Sequence, residues 1–219
     1  MRKKSQWRLA ALVAVAGLLA VGAAGCQWLF AWAFAERHPT KTVKAEYVLE
    51  AERLVVVPYA GTETLFNHRT APLQVSADIA AYAMANLRNH VKSVVHPLAV
   101  IQWQEQNVEW PNMSLEEIGK AFQADAVLYV ELESYSLLEE GSANLYRGHV
   151  RGRVQVAKMG AAHNPVYETT VEVLFPQDHP VGITGTSEAM ISQNTDALFA
   201  EEVVAKFYDR TMEDKGGSP

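Results

Sequence analysis

The chain is poor in cysteine, since Cys26 is the single thiol among its 219 residues. One cysteine cannot form an internal disulfide, and it cannot build a zinc site from several thiolates. Catalytic signatures are also missing: there is no His-Glu-x-x-His, no Gly-x-Ser-x-Gly, and the glycine-containing loop at 182–187 lacks the Lys-Ser/Thr pair of a nucleotide P-loop. The sequence therefore predicts no catalytic residues, metal or cofactor, and a protein that is not an enzyme.

Basic residues are in the minority, with 19 Lys and Arg against 25 Asp and Glu. Four of the basic residues precede Cys26 and no acidic residue does, so the remainder carries 15 basic against 25 acidic residues, a net charge of −10. Such a charge disfavours nucleic acid as a partner. A hydrophobic content of 49% is enough for one domain with a core.

The N-terminal segment places Cys26 behind a basic start and a long apolar run that ends in Ala23-Ala24-Gly25. This is the arrangement of an export signal. It resembles the bacterial lipoprotein signal, in which the cysteine after a small-residue box receives a diacylglycerol thioether, although Ala23 stands where Leu is commonest. The resemblance implies that residues 1–25 are removed, that lipid (including palmitate) on Cys26 anchors the chain to a membrane, and that residues 26–52 are anchor and tether.

An uncleaved membrane anchor is the alternative interpretation of this segment. Hydrophobicity continues from residue 9 to residue 35, which exceeds the roughly 20 residues that a spanning helix needs. Trp28 and Trp32 at its outer end are typical of a membrane interface. Because the basic end stays inside, both interpretations place the rest of the chain outside the cytoplasm, in the cell envelope facing the periplasm or the exterior.

Hydrophobic patterning predicts one α/β domain over residues 53–210 and a disordered tail over 211–219. In its first half a strand is expected at 53–58, a helix capped by Ser76 with an apolar stripe from Ile79 to Val94, and a second strand at 98–103. A loop at 59–72 separates the first strand from the helix.

The middle of the domain carries two clear local signals. Ser114 and Glu117 form a capping box that predicts a short helix. The nearly continuous apolar run at 126–132 predicts a central strand.

The last part of the domain alternates between polar and apolar residues at 146–156 and 166–175, which predicts a hairpin. A turn centred on Gly160-Ala161 would place Arg153 opposite Glu168, and a slip of two residues would preserve the faces. Thr186 or Ser187 caps a closing helix. The predicted fold is α/β (α+β), one mixed sheet of about five strands with helices packed on it, in the order β-α-β-α-β-β-β-α.

Residues 119–130 read Gly-Lys-Ala-Phe-Gln-Ala-Asp-Ala-Val-Leu-Tyr-Val, a helix that runs into the central strand. With the element order, this segment resembles a group of bacterial envelope proteins: the N-terminal domain of TolB, the lipoprotein activators of penicillin-binding proteins and the curli-secretion lipoproteins. Gln123 replaces their usual glycine, so this helix ends without the residue that most easily adopts a left-handed cap. The resemblance implies a non-enzymatic protein that works through protein contacts or assembly.

Two stretches hold candidate partner contacts. Trp103 and Trp110 bracket a polar loop, and indoles in such a place are enriched at interfaces or cover the edge of a core. Phe66 and Arg69 lie in the loop at 59–72, which is longer than a typical connection and favours a functional role.

A stripe of Arg147, Arg151 and Arg153 is a candidate contact for anionic lipid headgroups. Glu168 and Glu172 on the partner strand would neutralise much of it, so a solvated hairpin face is the alternative.

The sequence thus indicates a membrane-anchored envelope lipoprotein that acts as a protein-binding or assembly module, with a protein partner or a second copy of itself. Two further hypotheses stay open. One is a periplasmic enzyme whose residues are dispersed in sequence, and the other is a component of an envelope transport or secretion complex.

Replacing Cys26 distinguishes the two kinds of anchor. Cys26→Ser should abolish labelling by a fatty-acid probe and release the chain from membranes, because it removes the only acceptor for a thioether. Fractionation of membranes checks this. A mutant that stays in the membrane fraction would contradict lipid anchoring and favour the spanning helix.

Overall fold

The computed structural model describes residues 40–213, and none of its helices is long and apolar enough to span a membrane. Predictions for Cys26, for the signal and for residues 214–219 of the expected tail lie outside this range, whereas residues 211–213 of that tail belong to a strand. Within this range, residues 40–42 and 211–213 belong to one compact unit and residues 43–210 to another. Strands β1 (Thr40–Val43) and β8 (Arg210–Glu213) form a two-stranded sheet.

Residues 43–210 form a mixed sheet with helices on both faces, which confirms the predicted fold class. Its strands, with the order β3-β2-β4-β5-β6 and β7 beside β5, are β2 (Ala51–Ala60), β3 (Val91–Val94), β4 (Ala126–Leu138), β5 (Leu145–Lys158), β6 (Tyr167–Phe175) and β7 (Val181–Gly182). The helices are α1 (Thr62–Asn67), α2 (Ala71–Asn86), α3 (Pro97–Gln106), α4 (Leu115–Ala121) and α5 (Glu188–Val204), with 3-10 turns at Trp110–Asn112 and Ala205–Phe207. Strand β2 is parallel to β3 and β4, whereas β4, β5 and β6 are antiparallel.

Strand β2 is buried on both faces. Leu54 and Val56 belong to one core layer, which includes residues of α2 and α5, and Val55 and Val57 belong to the other, which includes residues of α3 and α4. A run that is apolar at every position is what such a strand requires.

Proline at position 58 does not end β2, contrary to the sequence-based expectation. Strand β3 pairs with β2 only as far as Leu54, so the outer edge of β2 is free beyond that point and tolerates a residue without an N–H. The Pro58 carbonyl at this edge accepts a hydrogen bond from Gln104 Nε2 at 2.8 Å.

The prediction for the first helix is wrong at both ends. Ser76 lies inside α2, where its buried Oγ donates to the Leu73 carbonyl, and the helix begins at Ala71. Ile79 is buried on α2 as expected, but the helix ends at Asn86, so Val94 belongs to β3. The predicted loop at 59–72 contains the short helix α1.

The predicted second strand at 98–103 is also wrong, because these residues lie in α3. Pro97 stands in the first turn of that helix, where a missing N–H costs nothing. A short apolar run fits a strand and a helix equally well by pattern alone.

The helix before the central strand agrees closely with its prediction. Ser114 and Glu117 form the capping box, with Glu117 Oε2 accepting from the Ser114 backbone at 2.7 Å. Although glycine is absent at the end of this helix, the left-handed conformation is present, because Gln123 itself adopts a φ of 52°. Strand β4 follows and lies in the middle of the sheet, as predicted.

The hairpin has the predicted faces but a register shifted by two residues. Arg153 lies opposite Thr170 and Arg151 lies opposite Glu172. The shift arises at the turn, where the Asn164 side chain bonds both the N–H and the C=O of Lys158 and closes a longer loop than the predicted one.

Helix α5 closes the fold by packing tightly on β5. Its N-cap is Ser187, which is one of the two predicted caps. Met190 is 47% exposed and does not belong to the apolar face of the helix. A Cβ added to Gly152 would lie 2.8 Å from Cζ of the buried Phe199. The helix approaches the strand this closely because the strand carries glycine there.

Adding one carbon at this contact should therefore destabilise the domain. We expect Gly152→Ala to lower the free energy of unfolding by about 1–3 kcal/mol through overpacking. Gly185→Ala, where the added carbon would come no closer than 3.5 Å to another atom, should change it by less than about 0.5 kcal/mol. Urea titration of both variants checks this, and equal losses would contradict the proposed packing.

Candidate functional site

A groove of about 360 Å³ opens at the carboxyl end of β2. After β2 the chain enters α1 and α2, whereas after β3 it enters α3 on the opposite face of the sheet. The chain runs from β2 outward to β3 and then back across β2 to β4, so the strand order reverses at β2. In an open α/β sheet, a crevice outside the carboxyl ends of the strands at such a topological switch point is the usual place for a ligand. We call this cavity the switch-point groove.

The walls of the switch-point groove are mostly apolar. They include Tyr59, Leu65, Leu73, Ile101, Trp110 and Pro111. Its polar side chains are Arg69, Gln104 and Glu105, and the Gln104 amide is already bonded to the Pro58 carbonyl. Within residues 40–213, Arg69 is exposed and makes no ion pair.

Trp110 is held in the groove by other aromatic rings. Its ring meets Tyr59 edge to face with centroids 5.8 Å apart, and Tyr59 stacks on Tyr129 at 6.4 Å. Burial raises the pKa of Tyr129 to about 12, so this ring stays neutral. A tryptophan fixed by its neighbours loses little freedom when a partner binds.

Large apolar side chains project from the segments that border the groove. Leu65 and Phe66 of α1 are 43% and 87% exposed, and Val108, just before Trp110, is 78% exposed. A contiguous exposed apolar patch marks an interaction site, whereas single exposed apolar residues are ordinary, so the contribution of Phe66 and Val108 is left to the crosslinking experiment below.

The structure separates the four candidate partner contacts. Arg69 and Trp110 line the same groove, and Phe66 lies on the helix at its border. Trp103 is not part of the groove lining and packs edge to face on Phe122 at 5.1 Å, and both indoles pack against the core layer beneath α3 and α4.

The candidate lipid-binding arginines are all paired with acidic groups. Arg153 pairs with Glu131 of β4, and Arg151 contacts Glu133 at 3.0 Å and Glu172 at 3.5 Å. These partners favour the alternative of a solvated hairpin face.

Arg147, at the end of that stripe, is also engaged. It lies 3.6 Å from Glu139 and donates to the backbone carbonyls of Pro176 and Gln177.

A polar cavity of about 440 Å³ lies beside the groove and shares Arg69 with it. Behind it, Tyr135 Oη donates to Asp196 Oδ1 at 2.8 Å and Ser192 Oγ donates to Oδ2 at 3.2 Å. The His68 ring lies against Tyr135 with centroids 4.8 Å apart. We call these four side chains the Tyr135 cluster.

Asp196 is the most perturbed acid of the Tyr135 cluster. It is only 1% exposed, and this burial raises its pKa to about 6, against the lowering effect of its two hydrogen bonds. Asp78 on α2 raises the pKa of Asp196 further. Burial also raises the pKa of Tyr135 and lowers that of His68.

The Tyr135 cluster joins Ser192 to a carboxylate and not to a histidine. Ser192 Oγ donates to Asp196, which also accepts from Tyr135, and His68 contacts the Tyr135 ring. A catalytic serine is activated by a base in hydrogen-bond contact that a third group orients, so the enzyme hypothesis would centre on this cluster. Within residues 40–213 there is also no group of three His, Cys, Asp or Glu side chains placed to hold a metal.

Sequence reasoning missed the groove walls contributed by Leu65, Leu73 and Ile101. The sequence predicted a loop at Leu65 and a strand at Ile101, and the three helices that carry these side chains meet only in the folded sheet. The switch point itself follows from the connection topology, which no local motif reports.

No protein-family model matches the sequence, and no curated protein does. Similar solved structures include a dodecamer of a PelC variant from Paraburkholderia phytofirmans, with 10% identity, coverage of 78% of this chain and 98% of that chain, and a TM-score of 0.45. Lipoprotein GNA1162 from Neisseria meningitidis has 14% identity, coverage of 69% and 97%, and a TM-score of 0.42. The hypothetical protein CT253 from Chlamydia trachomatis has 14% identity, coverage of 75% and 94%, and a TM-score of 0.39. These likenesses concern the fold and identify no family, so the resemblance to the TolB group stays a prediction.

The buried charge of Asp196 predicts a pH dependence of stability. Because the pKa of its carboxyl is about 6 in the folded chain against 3.8 ordinarily, the folded state binds this proton more tightly. This tighter proton binding adds to the free energy of unfolding below about pH 4, and the added stability is lost as the pH rises through about 6. Asp196→Asn keeps an acceptor for Tyr135, and we expect it to be more stable than wild type by about 1–3 kcal/mol at pH 7.5.

Thermal unfolding at pH 7.5 and pH 4 checks this expectation, with the exposed Asp178→Asn as the matched control. The gain should shrink at pH 4, where the wild-type carboxyl is protonated. A variant that is less stable than wild type at both pH values would show that the charged form is the one that the fold requires.

Proposed function

We propose that this chain is a membrane-anchored lipoprotein of the cell envelope whose domain binds a partner protein in the switch-point groove and catalyses no reaction. The observation that carries the proposal is the groove itself, with a fixed tryptophan in its wall. The export signal ending at Cys26 supports the anchor.

The occupant that fits the groove is an apolar segment of a partner protein. A volume of about 360 Å³ is at the lower end of the roughly 300–1,000 Å³ of small-molecule pockets. Here two exposed apolar side chains stand close in sequence to the groove lining, since Phe66 follows Leu65 and Val108 lies two residues before Trp110. A surface that extends past its pocket favours a macromolecular partner, whose side chain fills the groove and whose flanks cover the border.

Charge adds a second feature to the expected partner. Arg69 stands at the groove and has no acidic partner within the described range. An acidic group beside the inserted apolar side chain would pair with this guanidinium. We therefore expect a partner segment that carries a large apolar residue next to Asp or Glu.

A photocrosslinking amino acid in place of Phe66 identifies the partner in intact envelopes. The crosslinked protein is then purified, and its affinity for the full-length chain is measured. We expect Trp110→Ala to weaken binding by about thirtyfold, the loss that corresponds to about 2 kcal/mol for a desolvated tryptophan. Trp103→Ala is the matched control, which should lower thermal stability and leave the affinity within about twofold.

Two results would contradict the proposal. One is equal affinity for wild type and Trp110→Ala when both are folded. The other is loss of cellular function in Ser192→Ala while folding and partner binding persist, which would favour the enzyme hypothesis at the Tyr135 cluster.

A further inference from the structure

Strand β6 leaves one edge of the sheet open. It has 9 residues, pairs with β5 alone, and makes no backbone hydrogen bond on its other side to any part of residues 40–213. The opposite edge strand, β3, has 4 residues. A long open edge exposes a row of N–H and C=O groups that can accept another strand.

The sequence of β6, Tyr-Glu-Thr-Thr-Val-Glu-Val-Leu-Phe, lacks the devices that usually protect such an edge. It contains no proline, glycine or lysine, and its pairing with β5 has no bulge. Its two acids are occupied by β5: Glu168 accepts from Gln155 at 2.6 Å, and Glu172 bonds His149 at 2.8 Å.

We propose that β6 pairs antiparallel with β6 of a second copy of this chain, about a two-fold axis at Val171. A two-fold axis perpendicular to the sheet keeps each face on its own side, so one residue must face its own copy across the axis. Val171 is the midpoint of Tyr167–Phe175, and this register alone pairs the whole strand.

The charges select the same register. With the axis at Val171, Thr170 faces Glu172 of the second copy and Glu168 faces Leu174. Moving the axis by one residue, to Thr170 or Glu172, places glutamate directly opposite glutamate, which is destabilising.

The helix layer also accommodates the pairing. Helix α5 packs on both β5 and β6. With strands about 4.8 Å apart, the two α5 helices would lie about two strand spacings apart, roughly 10 Å, which is an ordinary distance for packed helices. The shallow groove of about 380 Å³ beside this edge, where Val173, Leu174 and Leu198 lie, would then be covered.

Thr170→Glu tests the register without disturbing the monomer. Thr170 is exposed and lies opposite Arg153 on β5, so an acid is tolerated within one copy. In the pair it would face Glu172 twice. Light scattering of the full-length chain in detergent should show a dimer for wild type and for the control Thr170→Gln, and an at least tenfold weaker dimer for Thr170→Glu.

Cysteine crosslinking in native membranes tests the same pair of positions. Residues that face each other across antiparallel strands have Cα atoms about 4.5–5.5 Å apart, within disulfide range. The double variant Thr170→Cys/Glu172→Cys should give a crosslinked dimer on mild oxidation, and Thr170→Cys alone should give little.

A chain that is monomeric at every concentration would overturn the proposal. An oligomer that Thr170→Glu leaves intact, or equal crosslinking by the single and double cysteine variants, would overturn it as well. None of these results bears on the switch-point groove, which lies at the end of β2, whereas β6 forms the far edge of the sheet.

Discussion

Strand β4 pairs in parallel with β2 on one side and antiparallel with β5 on the other. This change of pairing divides the domain into a parallel half, with β2 and β3, and an antiparallel half, with β5 and β6. Parallel pairing requires crossover connections, which place helices on both faces of β2 and create the switch point. Antiparallel pairing allows short turns, so β4, β5 and β6 follow one another and end in an open edge. The groove and the edge are therefore two consequences of one strand's position.

The closing helix α5 connects the two halves of the domain, and its packing requires glycines in β5 and the burial of a carboxyl group. It reaches β5 only because Gly148 and Gly152 leave room for Thr195 and Phe199. It also buries the Asp196 carboxyl against Tyr135 of β4, where no cation compensates its charge within the described range. Buried carboxyls of raised pKa are common at functional sites, and this one lies behind the cavity that shares Arg69 with the groove.

The sequence predicted what depends on local chemistry. The capping box at Ser114, the doubly buried strand β4 and the two faces of the hairpin each follow from residues within one element. The register of the hairpin did not, because a shift by two residues conserves every face and the turn is closed by Asn164. Nor could pattern separate Trp103 from Trp110, since the two indoles differ only in which neighbours the fold brings to them.

Hydrogen exchange of the full-length chain tests the central claim, that the switch-point groove is the binding surface, most directly. Amide exchange would be compared between the purified chain and the chain in envelopes that contain its partner. We expect slower exchange in α1 and in the segment that leads to Trp110, because a bound segment would cover both borders of the groove. Unchanged exchange in these two segments, with protection confined to the paired arginine face of β5, would contradict it.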